Sequence, residues 1–182
     1  MVYLFLADGF EECEALAPLD ILRRGGITVK TVGISNQFVT GAHGITVKAD
    51  LTKKDIALND ELEAVILPGG MPGTSNLENS NTVRNAVSFA NANNKLICAI
   101  CAAPKILGGM DLLKGKNATC FPGFEKDLTK ALLSQKNVVK DGNIITAKGA
   151  GVAFNFGFEI LKTLTDEKTV NDLRLQMQCA EV

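Results

Sequence analysis

Short apolar runs alternate with helical segments along most of this chain, and this alternation constrains the fold more than any other feature. The runs at residues 2–7, 63–67 and 95–101 are almost entirely apolar, as expected for central strands that are covered on both faces. Each is followed by a turn and then by a helical pattern. Strands that alternate with helices predict an α/β domain with a mostly parallel sheet and right-handed crossovers.

Other segments complete this pattern. We predict strands at residues 27–34 and 117–121, a hairpin or irregular excursion at 37–49, a hairpin at 138–145, and a loop or short helix at 51–59. Helices are predicted at residues 11–24, 76–94, 102–109, 124–133, 152–164 and 166–178. A length of 182 residues suits one well-buried domain. Since no internal repeat or linker is visible, we predict a single domain over residues 1–182.

Composition argues against several classes of function. The 19 basic and 20 acidic side chains nearly cancel, and no basic patch of the kind that nucleic-acid binding requires is visible. No apolar run approaches the roughly 20 residues needed to cross a bilayer, and the first residues do not resemble a signal peptide. The five cysteines have no disulfide-framework spacing. We therefore expect a cytoplasmic protein that binds neither nucleic acid nor membrane.

The run at residues 95–101 leads into a sharp turn that carries a cysteine. Small residues and Pro104 follow Cys101, and proline is tolerated in the first turn of a helix. The thiol of Cys101 is therefore expected at a helix N-terminus, where free N–H groups and the helix dipole favour the thiolate. This arrangement is similar to the nucleophile elbow of the α/β-hydrolases, with sulfur in place of oxygen. The alternative is a buried, unreactive cysteine, which is common in cytosolic proteins.

Metal and cofactor patterns are weak. Cys98 and Cys101 have CxxC spacing, but an offset of three in a strand places them on opposite faces, so we expect Cys98 to be a core residue. The single histidine, His43, excludes histidine-rich metal sites. Residues 70–73 lack the dinucleotide and P-loop patterns. We expect neither a metal nor a cofactor.

Loops that follow parallel strands meet at one edge of the sheet, where ligands bind in folds of this class. Here these loops are residues 8–14, residues 68–73 and the turn at Cys101. Glu14 would then place a carboxyl near the sulfur, where it can exchange a proton or hydrogen-bond a thiolate. A solvated acid in the first turn of a helix is the alternative interpretation.

Glycines near this edge indicate close backbone approach. Gly69 and Gly70 would let N–H groups reach a reacting carbonyl oxygen, with the N–H of Ala102 as the second donor of an oxyanion hole. A tight turn that needs glycine dihedrals explains the same residues. Phe121, Gly149 and Ala150 are further candidates for the pocket lining, although an ordinary loop-to-helix connection explains Gly149 and Ala150 equally well.

Four motifs keep a common order along most of the chain: ADGFEECE at residues 7–14, PLDILRRGGI at 18–27, VILPGG at 65–70 and AICAAP at 99–104. Together they resemble the ThiJ/PfpI superfamily, and most closely its subgroup of the parkinsonism-associated protein deglycase. The resemblance implies a flavodoxin-like three-layer sandwich, commonly a homodimer. It also implies a low-pKa Cys101 nucleophile that oxidises readily to a sulfinate, with Glu14 as its carboxyl partner.

The same resemblance implies a set of activities. These are cofactor-free conversion of methylglyoxal to lactate, removal of early glycation adducts from protein, esterase-like hydrolysis and redox-linked chaperoning. Three functions stay open at this point. They are a glyoxalase or deglycase acting on a small carbonyl substrate, an oxidative-stress sensor or chaperone that uses an oxidisable Cys101, and a small-molecule hydrolase.

Three positions depart from the patterns of the superfamily. The subgroup often has a histidine before the proline of a Thr-His-Pro segment, but here Phe121 precedes Pro122, so the usual acid–base histidine is absent. The protease-like branch has a histidine directly after the cysteine, where this chain has Ala102, which argues against a protease. His43 lies in a loop where relatives often carry arginine. We expect a surface histidine there, with a contact to the pocket or to a dimer partner as the alternative.

Overall fold

The computed structural model describes residues 1–179 and has a seven-stranded sheet at its centre. The strands are β1 Val2–Leu6, β2 Val29–Gly33, β3 Phe38–Thr40, β4 Thr46–Lys48, β5 Leu51–Thr52, β6 Ala64–Leu67, β7 Leu96–Ile100, β8 Asn117–Ala118, β9 Leu132–Leu133, β10 Val138–Asp141 and β11 Ile144–Ala147. The helices are α1 Glu12–Arg24, α2 Gly73–Glu78, α3 Asn81–Ala92, α4 Pro104–Gly109, α5 Ala153–Leu164 and α6 Glu167–Gln176, with single 3₁₀ turns at Glu125–Asp127 and Ala150–Val152.

The central sheet has the order β10-β11-β7-β6-β1-β2-β5. In this sheet only β10 runs antiparallel to its neighbour, because β10 and β11 are the two strands of the predicted hairpin around Gly142. The other pairs in this sheet are parallel. The predicted α/β class and mostly parallel sheet are therefore confirmed. Of the two alternatives for residues 37–49, the structure has the hairpin, formed by β3 paired with β4.

Helices cover both faces of the sheet and divide the core into two parts. In β1, Leu4 packs on the face covered by α1, α5 and α6, whereas Tyr3 and Phe5 pack on the face covered by α2, α3 and α4. Side chains alternate between faces along a strand, and every residue of β1 and β7 is buried. This two-sided burial explains why these strands appear in the sequence as continuous apolar runs.

The helix predicted over residues 124–133 is wrong. That segment forms the 3₁₀ turn Glu125–Asp127 and then β9, which pairs with β8. The turn packs its backbone on α4, where a Cβ on Gly108 would lie 2.0 Å from the carbonyl oxygen of Asp127. A contact between two distant backbone segments overrides the local helical pattern here.

The helix predicted over residues 76–94 is divided in two. The break occurs at Ser80, whose side chain accepts a hydrogen bond from the N–H of Val83 and caps α3. Among residues 1–179, no helix combines the length and the apolar character that a bilayer crossing requires.

Candidate active site

The carboxyl ends of β1, β6, β7 and β11 lie side by side and bring four loops together. Cys101 follows β7 directly and has a φ of 64°, in the left-handed region that side chains rarely adopt. Such a conformation costs roughly 1–3 kcal/mol. The Cys101 N–H donates to the carbonyl of Ala147 at 2.9 Å, and its own carbonyl accepts from the N–H of Phe121 at 2.8 Å. These bonds hold the predicted elbow in place.

The helix after the elbow differs from the prediction. It begins at Pro104, three residues beyond Cys101, and contains only six residues. The thiol is therefore not at the first turn of a long helix, and the dipole contributes less to it than the sequence indicated. Instead, the backbone N–H groups of Ala102 and Gly70 lie near the sulfur and favour its thiolate form.

Glu14 reaches the same point from the first turn of α1. Its side chain is 1% exposed, so the solvated alternative does not apply. One carboxylate oxygen accepts the N–H of Gly69 at 2.9 Å. The N–H of Ala150 and the thiol of Cys101 also lie close to the carboxyl and oppose the rise of its pKa. The structure therefore places Glu14 beside Cys101, with Gly69 next to both.

Burial dominates the proton equilibria of this pair. It raises the pKa of Glu14 to about 7, against the opposing hydrogen bond with Cys101. Burial, followed by the negative charge of Glu14, also raises the pKa of Cys101 to about 12, although the N–H groups of Ala102 and Gly70 oppose this. While Glu14 is ionised, the pKa of the thiol is thus raised rather than lowered as expected, because an apolar setting and an adjacent carboxylate outweigh the backbone donors.

The pair nevertheless suits proton transfer. Protonation of Glu14 removes the charge that opposes thiolate formation and gives the carboxyl a proton to donate to sulfur. In its ionised form, Glu14 is placed to take the thiol proton as the sulfur attacks an electrophile.

Glycine is required at both positions after β6. A Cβ on Gly69 would lie 2.5 Å from Glu14 Oε2 and 2.6 Å from the Cβ of Cys101. Gly70 has a φ of 87° and would place a Cβ 2.4 Å from the backbone nitrogen of Glu11. The N–H groups of the two glycines have different surroundings, since that of Gly69 donates to Glu14 whereas that of Gly70 lies near the sulfur. Of the two glycines, Gly70 therefore remains a candidate donor to a reacting oxygen, together with Ala102.

The other predicted pocket residues also lie beside this pair. Phe121 is half-exposed, and a Cβ on Gly149 would lie 3.2 Å from its ring and 3.8 Å from Glu14 Oε1. A shallow groove of about 300 Å³ runs along these residues and is lined by Phe121, Pro122, Lys148, Gly149, Ala150, Gly151 and Val152. Phe121, Gly149 and Ala150 thus share one wall next to the carboxyl.

His43 does not join this group. It lies between β3 and β4 with its side chain 70% exposed, and its Nδ1 atom is 2.7 Å from Glu12 Oε2. The backbone N–H of His43 also donates to Glu12 Oε1 at 2.8 Å. The expectation of a surface histidine is confirmed. Sequence reasoning missed its partner Glu12, because 31 positions separate the two residues and nothing local marks the contact.

Glu11, Glu12 and His43 place possible ligand atoms within 4.8 Å of one another. The hydrogen bonds from His43 already explain why the carboxylate of Glu12 tolerates burial. The arrangement therefore needs no ion to account for it.

The remaining cysteines are free. Cys98 is fully buried, which confirms it as a core residue. The expectation that strand alternation places Cys98 and Cys101 on opposite faces does not hold, however, because both residues pack against the same half of the core. The turn at Cys101 breaks the alternation of the strand. Cys13 is exposed, and Cys120 is buried on the opposite side of the sheet from this core.

Comparison with known proteins agrees with this geometry. The sequence profile of the DJ-1/PfpI family matches residues 1–163. Protein dj-1beta of Drosophila melanogaster is 32% identical over 173 residues, which cover 93% of this chain and 92% of that protein. A crystal structure of a mutant DJ-1 superfamily protein from Salmonella typhimurium superposes with a TM-score of 0.92 at 35% identity, covering 99% of this chain and 98% of that one. Oxidized DJ-1 of Toxoplasma gondii gives a TM-score of 0.93 at 28% identity, with the same coverage. These matches confirm the flavodoxin-like sandwich, and the chain belongs to the DJ-1/PfpI family.

Proposed function

We propose that this protein is a cysteine-dependent, cofactor-free glyoxalase that converts methylglyoxal-type 2-oxoaldehydes to 2-hydroxy acids. Early glycation adducts on proteins are larger substrates for the same chemistry. The observation that carries this proposal is the position of the Cys101 sulfur, between the buried carboxyl of Glu14 and the N–H groups of Gly70 and Ala102.

The first step forms a carbon–sulfur bond. The carboxylate of Glu14 takes the proton of the Cys101 thiol as the sulfur attacks the aldehyde carbon. The carbonyl electron pair moves to oxygen, and the N–H groups of Gly70 and Ala102 stabilise that oxyanion. Glu14 then passes the proton that it took from the thiol to the oxyanion, which gives a hemithioacetal and restores the carboxylate.

The second step moves hydrogen between adjacent carbons. Glu14 removes the proton from the former aldehyde carbon to give an enediol and returns a proton to the neighbouring carbon. The product is a thioester of the 2-hydroxy acid, which water cleaves to release the acid and the free thiol. One carbon is oxidised and its neighbour is reduced, so the reaction needs no external oxidant, reductant or cofactor.

Phe121 sets the expected rate. It stands where relatives often carry an acid–base histidine, so Glu14 alone must move both protons. Loss of one positioned acid–base group typically costs about 10²–10⁴-fold. We therefore expect slow turnover.

A second candidate is an oxidative-stress sensor or chaperone that uses the same thiol. Cys101 is partly exposed, and the similar structure from Toxoplasma gondii is described as oxidized. Peroxide would oxidise the sulfur first to a sulfenic and then to a sulfinic acid. A protonated Glu14 is placed to hydrogen-bond the resulting anion.

Assembly and location belong to the same proposal. The family resemblance supports a homodimer, which analytical ultracentrifugation would detect. The free cysteines support a reducing compartment such as the cytoplasm.

The deciding experiment measures lactate formed from methylglyoxal without glutathione or metal. We expect turnover by the native protein and none by Cys101→Ala, whereas the control Cys13→Ala, which alters an exposed cysteine, retains it. Turnover that survives in Cys101→Ala would remove this residue from the mechanism. No lactate from the native protein, combined with oxidation of Cys101 by dilute peroxide, would favour the sensor.

A further inference from the structure

The groove beside the reactive pair has apolar walls. The ring of Phe121 forms one side, with Pro122 and Val152 near it. Lys148 also lines the groove, but its ammonium donates to the carbonyl of Gln135 at 2.7 Å. Its alkyl stem is therefore the part available to the groove.

This groove adjoins the reacting groups at two points. The N–H of Phe121 bonds the Cys101 carbonyl, so the ring extends from a residue anchored on the elbow. On the other side, the turn at Gly149 and Ala150 lies against the carboxyl of Glu14. A substrate held by Cys101 therefore has the groove beside it.

We infer that Phe121 and this groove select 2-oxoaldehydes with a bulky apolar or aryl substituent over methylglyoxal. The inference rests on the proposed function and names its substrate class. A groove of about 300 Å³ lies at the lower end of small-molecule sites, which begin at roughly 300 Å³. A methyl substituent would leave most of it unfilled, whereas an aryl ring would pack against the ring of Phe121.

Phenylalanine at position 121 thus gives this position a different role from the one a histidine would have. A histidine at this position would supply a proton donor, whereas phenylalanine supplies apolar contact area. The presence or absence of one small group in an apolar pocket changes kcat/KM by about 10–200-fold. The aromatic ring of Phe121 is therefore sufficient to reverse the preference between methylglyoxal and an aryl-substituted 2-oxoaldehyde.

The test compares kcat/KM for phenylglyoxal, which yields mandelate, with kcat/KM for methylglyoxal. Initial rates are taken before phenylglyoxal modifies arginine side chains. We expect the native protein to prefer phenylglyoxal. Phe121→Ala should lower that preference roughly tenfold, mainly through KM, because the groove holds the substituent in both ground and transition states. Phe121→Leu should retain part of the preference, and Phe38→Ala, which removes an exposed ring on the β3–β4 hairpin, should retain all of it.

A second readout does not depend on turnover. Mandelate and lactate are compared for their ability to slow alkylation of Cys101 by iodoacetamide, followed by mass spectrometry. We expect mandelate to protect at roughly tenfold lower concentration, and Phe121→Ala to abolish that difference. If mandelate protects Cys101 in this way but neither lactate nor mandelate is produced, the proposed function is rejected. The assignment of the groove as a site for an aryl substituent is then retained.

Two outcomes would overturn the inference. One is equal protection by the two acids together with an unchanged substrate ratio in Phe121→Ala. The other is a change in oligomeric state of Phe121→Ala with no change in either ratio, which would identify the groove as a contact between copies of the chain.

Discussion

Two glutamates in the first turn of α1 show how neighbours decide the chemistry of a buried carboxyl. Glu12 and Glu14 are 5% and 1% exposed. Burial raises the pKa of each, but hydrogen bonds from His43 and Ile45 outweigh burial at Glu12 and lower its pKa overall. Glu14 faces a thiol and the charge of Glu11, and its pKa rises to about 7.

The comparison separates a structural acid from a candidate catalytic one. Glu12 is held in the charged form and ties the start of α1 to the β3–β4 hairpin. Glu14 exchanges its proton near neutral pH, where a general base is most effective. Both carboxyls have little solvent exposure, but Glu14 lies deeper in the protein than Glu12, and Glu12 in addition accepts hydrogen bonds from the hairpin.

The largest predicted effect is the loss of turnover when the carboxyl of Glu14 is removed. Glu14→Gln should lower methylglyoxal turnover by about 10²–10⁴-fold, because no other residue beside the sulfur has been identified to move the protons. Native kcat/KM should rise as the pH increases through about 7, the pKa of Glu14, since the ionised form is the base. Steady-state rates measured between pH 5 and about 9 would reveal both effects.

Glu12→Gln is the matched control for this measurement. It alters a carboxyl of the same helical turn, so its turnover should stay within about threefold of the native value and keep the native pH profile. Equal losses in the two variants would mean that the turn as a whole, rather than the carboxyl of Glu14, supports the reaction.

An intermediate effect is expected at position 121. Phe121→His would add a second proton-transfer group beside the sulfur and should raise methylglyoxal turnover, by up to about 10²-fold. Phe121→Leu is the control, since it changes the ring without supplying a titratable group. An unchanged rate in Phe121→His would show that the reaction does not use a group at this position.

The smallest predicted effects concern the free energy of unfolding, and they have opposite signs in Glu14→Gln and Glu12→Gln. Glu14 has a pKa of about 7 in the fold and an ordinary value of 4.5, so the folded state binds more protons between these values. The contribution of Glu14 to the free energy of unfolding therefore falls by at most about 3 kcal/mol as the pH rises through this interval. Glu14→Gln should therefore be more stable than the native protein above pH 7, and the difference should vanish below about pH 4.5.

Glu12→Gln should behave in the opposite way. The pKa of Glu12 is lowered in the fold, so the charged form contributes stability above its ordinary value of 4.5, and that contribution is lost as the pH falls. The variant should lose about 1 kcal/mol near neutral pH, as a charge-assisted hydrogen bond is replaced by a neutral one. Urea unfolding at several pH values would measure both series, and parallel slopes for the two variants would contradict this account.

The parts of the fold that are predictable from the sequence are those set by local patterns. The strands at residues 2–7 and 95–101 were correctly predicted because burial on both faces leaves an apolar run. The elbow at Cys101 and its proximity to Glu14 followed from the rule that loops after parallel strands share an edge.

The parts that escaped prediction depend on contacts between distant residues. The 3₁₀ turn at Glu125–Asp127 replaces a helix because it packs on Gly108. The direction of the Cys101 pKa depends on burial and on the charge of Glu14, which no linear pattern encodes. The contact between Glu12 and His43 spans 31 positions.

The hydrogen bond from the Phe121 N–H to the Cys101 carbonyl has a consequence for protein engineering. This bond uses the backbone, so nineteen of the twenty amino acids retain the donor and only proline removes it. Position 121 can therefore be randomised to retune the reaction while the strained turn of the nucleophile stays anchored. A saturation library at this single codon, screened for acid production from several aldehydes, would sample different specificities on one unaltered scaffold.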